Sequence, residues 1–308
     1  MAIAQDKLHP KARAIVDAFA KAPPLASLTP EQARALPLPL EAAPEPVGAV
    51  TSRAIPGPGG FMRLRIYRPK TVTRGVLVYF HGGGWVLGSL EGADATCRAL
   101  TNRGEAAVVS VDYRLAPETK FPGPVEDAFA AVRWVAASAA ELGVDPAPLA
   151  VGGTSAGGNL AAAAALVARD RDGPPIALQL LMVPVTDLRT TTASFEEFAE
   201  GYGLTRSDME WFARHYVVTE KDAENPYASV ARGDLRGMPP AFVITAECDP
   251  LRDDGEAYAE RLRELGIGAR HKRYPRMQHG FIGFPDQLPE ASEALDDAGA
   301  TLRAAFGA

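Results

Sequence analysis

Apolar residues along this chain change period from one segment to the next, and those changes mark out its elements. Leu8, Ala12, Ile15 and Phe19 recur at helical spacing and predict an amphipathic helix over about 5–21. Prolines 23, 24, 30, 37, 39, 44 and 46 follow, so this stretch is expected to lie as an arm on the main body. Beyond it, "FMRLRIYRP" alternates as a half-buried strand does, and "GVLVYF" is a continuous apolar run. "AAVVSVDY", "LAVGG", "ALQLLMVP", "AFVITAE" and "ARHKRYP" read as further strands. Helical patterns at 92–103, 124–142, 156–170, 253–265 and 288–306 alternate with them. Apolar strands alternating with helices predict an α/β protein whose mainly parallel sheet is covered on both faces.

One interval breaks the rhythm. More than fifty residues separate Pro184 from Ala241, longer than a single crossover needs. Phe195, Phe198, Tyr202, Trp211, Phe212 and Tyr216 fall there, with helical patterning near 193–200 and 206–217. An insertion at the carboxyl end of a sheet strand sits where α/β proteins bind ligands. It is therefore expected to form a cap over about 187–236, completed by an arm of residues 1–45, above a catalytic domain of residues 46–308.

Composition narrows the classes. The 308 residues, 47% of them hydrophobic, suffice for one large core, and the net charge of −6 argues against nucleic acid or an anionic membrane as partner. Neither a signal peptide nor a membrane span is legible, which predicts a cytoplasmic protein without stable membrane association. Cys97 and Cys248 give no disulfide framework and no metal-ligand spacing. Cys97 is expected to be a buried helix residue and Cys248 an inert thiol.

The chemistry concentrates in four places. "VGGTSAGGN" follows the strand "LAVGG" and opens an alanine-rich helix, so Ser155 is expected in a tight strand-turn-helix crossing that demands small neighbours. At that helix N-terminus, free amides favour developing negative charge. The alternative, a plain glycine-rich turn, fits the stretch alone. "HGGGW" follows the strand "GVLVYF", and the amides of Gly82, Gly83 and Gly84, with that of Ala156, are candidates for an oxyanion hole. His81 is expected to brace this loop. A serine also needs a base and an orienting acid, in the chain order Ser, acid, His. His279, in the loop after the strand "ARHKRYP", is preferred to His271, which is expected to be a solvated strand residue. Asp249, directly after "AFVITAE", is preferred to Asp187, and Asp253 and Asp254 are taken to serve the next helix dipole.

"HGGGW", "DYRLAPE", "FPGPVEDA", "GTSAGGN", "DPLRDDG" and "HGF", in this order, resemble the hormone-sensitive-lipase-like family of bacterial esterases. The likeness spans roughly residues 45–308. It implies the α/β-hydrolase fold, a mainly parallel eight-stranded sheet flanked by helices, with a helical cap. It also implies a serine carboxylesterase acting on short to medium acyl-chain esters, with Ser155, Asp249 and His279 as its triad. No metal or organic cofactor is implied, and family members often dimerise. Thr154 departs from the commonest pattern, which carries aspartate, and looks like a threonine-bearing subgroup. Asp112, Arg114 and Glu118 are expected to form one buried polar network. Trp85, Tyr202, Trp211 and Phe212 are candidates for the substrate pocket. The same triad serves lactonases, amidases and carbamate hydrolases, and a non-catalytic receptor on this scaffold would lack His279.

Overall fold

A computed structural model describes residues 7–37, 43–142 and 148–307. The arm contributes helices α1 (Pro10–Phe19) and α2 (Pro30–Arg34). Strands β1 (Ala49–Gly57) and β2 (Gly60–Arg68) form an antiparallel hairpin. Then β3 (Val76–Phe80), α3 (Asp94–Gly104), β4 (Ala107–Val111), α4 (Gly123–Ala137), β5 (Leu149–Thr154), α5 (Ala156–Asp170) and β6 (Leu178–Met182) alternate. The long interval holds α6 (Ala193–Glu197) and α7 (Arg206–Tyr216). The chain closes with β7 (Ala241–Cys248), α8 (Arg252–Glu264), β8 (Ala269–Gln278) and α9 (Pro289–Ala305).

The eight strands lie in the order β1-β2-β4-β3-β5-β6-β7-β8. From β4 to β8 every neighbouring pair is parallel, while β2 runs antiparallel to β4. Strand period 2 splits the core in two. Val76, Val78 and Phe80 of β3 join α4, α5 and α8 on one face, and Leu77 and Tyr79 join α1, α3 and α9 on the other. Strand β1 was not among the segments legible as strands. Its residues are exposed except at Ile55 and the half-covered Gly57, as suits an edge, so no apolar pattern marks it.

The arm is stitched to the body. α1 begins at Pro10, later than its pattern suggested; residues 1–6 lie outside the described residues. It buries Ala12, Ile15 and Val16, while Phe19 stays 38% exposed and meets Phe284 edge-on. α2 opens on a Thr29–Gln32 capping box, and its last residue, Arg34, donates to the carbonyls of Val86 (2.9 Å) and Ala116 (2.7 Å) and pairs with Glu118. The α7 residue Trp211 donates to the Leu28 carbonyl at 3.2 Å, joining the interval between β6 and β7 to the arm.

The "DYRLAPE" segment corrects one expectation. Asp112 pairs with Arg63, Glu118 with Arg34, and Arg114 forks onto the buried carboxylate of Asp127. Each of the three takes its partner from a different element, β2, α2 and α4, so no single network joins them.

Candidate active site

Four chain reversals at the carboxyl ends of β3, β5, β7 and β8 converge on one rim of the sheet. Ser155, between β5 and α5, has φ 58° and ψ −121°. A positive φ in a residue with a side chain costs about 1–3 kcal/mol unless its surroundings enforce it. Here the Ser155 amide donates to the Met182 carbonyl at 2.9 Å, and its carbonyl accepts from the Asn159 amide at 3.1 Å. Asn159 is fully buried and donates to the carbonyls of Val185 (3.0 Å) and Ala228 (2.8 Å), locking the start of α5 to both ends of the inserted interval. The crossing tolerates no side chain at Gly157, where a Cβ would stand 1.9 Å from the Phe80 carbonyl oxygen.

His279 Nε2 lies 3.0 Å from Ser155 Oγ, and His279 Nδ1 lies 2.8 Å from Asp249 Oδ2. Asp249 is fully buried, and its second oxygen accepts from the Leu251 amide at 2.9 Å. A carboxylate buried this way is satisfied on both oxygens. The network assigns the proton to Nδ1, leaving Nε2 to accept from the serine hydroxyl.

The glycine loop lies beside the serine. A Cβ on Gly82 would approach the Thr154 carbonyl oxygen to 3.0 Å and Ser155 Cβ to 3.5 Å. Gly83 and Gly84 have φ of +113° and +59°, which L side chains rarely adopt. Among the described residues, the amides of Gly83, Gly84 and Ala156 make no hydrogen bond. His81 braces the loop: its Nδ1 meets the Gly82 carbonyl at 2.8 Å, and its ring stacks on Tyr113 at 4.3 Å. Tyr113 also donates to the His81 carbonyl at 2.8 Å, and burial holds the His81 imidazole below its ordinary range, hence neutral.

The other candidates separate. Asp187 accepts from the Arg189 amide and Arg232, and Asp253 accepts from the Ser194 amide and Arg252. His271 is not a solvated strand residue: it is partly buried, 2.9 Å from Thr245 Oγ1 and 3.6 Å from Glu256. The imidazole that meets Ser155 is that of His279. Phe212 covers Gly84, where a Cβ would fall 2.1 Å from its ring, and meets Trp211 edge-on at 5.3 Å. Trp85 is fully buried and stacked on Tyr216 at 4.3 Å, so it stands behind any pocket wall. Tyr202 packs edge-on against Phe198 and under the Arg13 guanidinium, in the seam between arm and insertion. Cys97 and Cys248 are both buried, and burial raises the Cys97 thiol above its ordinary range.

Tyr79 and Tyr113 are supporting residues whose part in the site no motif marked. Tyr79 carried a signal: it is the single hydroxyl in the apolar run "VLVYF", and a buried tyrosine hydroxyl seeks a partner. Its partner is Thr154 Oγ1, at 2.8 Å.

A family model described as an alpha/beta hydrolase fold matches residues 77–283. The chain is 43% identical over 251 residues to the carboxylesterase NlhH of Mycobacterium tuberculosis, covering 80% of this chain and 79% of that protein. The chain belongs to the hormone-sensitive-lipase-like family of the α/β-hydrolase fold. Solved members extend the likeness through the arm. A thermostable esterase from Pseudomonas putida is 36% identical with a TM-score of 0.90, covering 99% of this chain and 100% of that one. An esterase from Pyrobaculum calidifontis is 48% identical with a TM-score of 0.82, over 84% of this chain and 86% of that one. No helix among the described residues is long and apolar enough to cross a membrane.

Proposed function

We propose that the protein hydrolyses carboxylic esters of short to medium acyl chain through an acyl-enzyme on Ser155. The observation that carries this is the continuous chain of contacts from Ser155 Oγ to His279 Nε2, 3.0 Å, and from His279 Nδ1 to Asp249 Oδ2, 2.8 Å. His279 takes the serine proton as Oγ attacks the ester carbonyl, and Asp249 holds the tautomer and stabilises the imidazolium. The oxyanion is received by the amides of Gly83, Gly84 and Ala156, with Gly82 shaping the loop beside it; one such donor is worth about 3–4 kcal/mol. The tetrahedral species collapses as His279 returns the proton to the leaving alcohol. Water, deprotonated by His279, then attacks the acyl-enzyme and releases the acid with Ser155 restored.

The curated relatives named as esterases support the substrate class, and the Phe212 ring over Gly84 supports a bounded acyl site. Buried reduced thiols fit work in the cytoplasm. Ser155→Ala in the full chain tests the reading on p-nitrophenyl butyrate. We expect kcat to fall by on the order of 10⁴-fold or more with an unchanged melting curve. Retained turnover sinks the reading.

A further inference from the structure

Arg276, three residues before His279, has φ +61° inside β8. There the register with β7 slips: Ala246 pairs with Tyr274, but Cys248 pairs with Gln278. Four steps along β8 thus oppose two along β7, a bulge that re-aims the strand just before His279. An arginine in a left-handed conformation is strained by its Cβ, so something must hold it.

Its holders come from two directions. The Arg276 amide donates to Glu247 Oε2 at 2.6 Å, and Glu247 lies two residues before Asp249. The Arg276 carbonyl accepts from the His9 amide at 2.9 Å, and its guanidinium donates to the carbonyls of Leu8 (3.0 Å) and Lys7 (3.4 Å). A circuit closes from there. Lys7 pairs with Glu197 at the end of α6; Glu197 lies 3.6 Å from Arg252; and Arg252 donates to the Glu247 carbonyl at 3.2 Å. Lys7 and Arg252 both sit over the Phe198 ring, and Leu8, 2% exposed, shares an apolar cluster with Phe198, Cys248 and Met277.

We propose that Arg276 is a positioning residue for His279, and that residues 7–9 of the arm act through it as a clasp on the bulge. The clasp ties the strand ends bearing Asp249 and His279 to one another and to the arm, so the imidazole finds Ser155 only when the arm is seated. This rests on the triad reading above.

The test uses the full chain, p-nitrophenyl butyrate and four variants: Arg276→Ala, Arg276→Gly, Leu8→Asp and Arg276→Ala with Leu8→Asp. Leu8→Asp unseats the arm by placing a charge in its apolar socket. Each Arg276 variant is expected to lower kcat about tenfold with KM changed less than about twofold, because small misplacements of a catalytic group act on kcat. The far-downfield proton signal of the His279–Asp249 hydrogen bond should weaken in parallel, which a merely structural role would not produce. The double variant should lose no more than the worse single one, since both break one clasp. Multiplying losses, or full kcat in Arg276→Gly, overturns the clasp. If Leu8→Asp does not fold, the Arg276 pair decides alone. Activity that survives Arg276→Gly but dies in Ser155→Ala removes the clasp and leaves the triad standing; activity surviving Ser155→Ala removes the triad.

Discussion

The Tyr79 hydroxyl lies 2.8 Å from Thr154 Oγ1, joining the carboxyl end of β3 to the residue before the proposed nucleophile. Tyr79 is 2% exposed, so its hydroxyl depends on this partner. Thr154→Val should destabilise the fold by about 1–3 kcal/mol, the cost of an unpaired buried hydroxyl. Adding Tyr79→Phe should restore most of that loss, because removing both partners leaves nothing unsatisfied. Urea unfolding of the two singles and the double decides the matter; a double variant as weak as the sum of the singles speaks against the pairing.

Asp249 is the buried acid of the proposed triad. Asp249→Asn keeps the shape but lets the side chain donate toward His279, favouring the wrong tautomer. A loss of kcat by about 10⁴-fold is expected, the size seen for the same exchange in the serine-protease triad. Stopped-flow turnover on an activated ester measures it, and a loss below tenfold argues for another acid.

Gly84 carries both a left-handed φ of +59° and the Phe212 ring. Gly84→Ala should drive the new methyl into that ring, displacing the loop amides and lowering kcat about 10²-fold. Phe212→Ala in the same chain should recover part of the rate by clearing the clash. The residual deficit then reports backbone strain, worth about 1–2 kcal/mol. No recovery would mean that Phe212 does not press on the loop.

Asp254 supplies a pH dependence of stability. Burial, aided by the charge of Asp187, pushes its carboxyl up to about 7. The unfolded chain releases this proton near the ordinary value of about 4, so between there and about 7 the folded state holds more protons. Stability contributed by this site is therefore full in acid and declines as pH rises through that window. Asp254→Asn removes the slope: relative to the parent it should gain on the order of a few kcal/mol between about pH 4 and pH 8. Parallel denaturation curves at both pH values would contradict this.

What the sequence disclosed follows from where its signals are local. Buried strands such as "VLVYF" and the helix after Ser155 declare themselves, because apolar runs and small-residue turns act within a few residues. Ser155, Asp249 and His279 were legible for the same reason, each lying just past its own strand. Strand β1 was not, since its exposed edge needs no apolar pattern. Partner choice was illegible as well. Arg114 takes Asp127 and Glu118 takes Arg34, pairings made by the fold and not by adjacency. Nor does any motif announce a left-handed arginine; the bulge at Arg276 emerges only when β7 and β8 are aligned.

The seat of Lys7–His9 is built from Arg276, so residues at opposite ends of the described chain meet directly. The sheet from β3 to β7 closes without them, whereas this contact must bridge almost the whole polypeptide and belongs to the slow, non-local part of folding. During synthesis the arm emerges more than 250 residues before the strand on which it docks. The arm is therefore made long before its seat, and its docking waits for β8 to emerge and pair with β7.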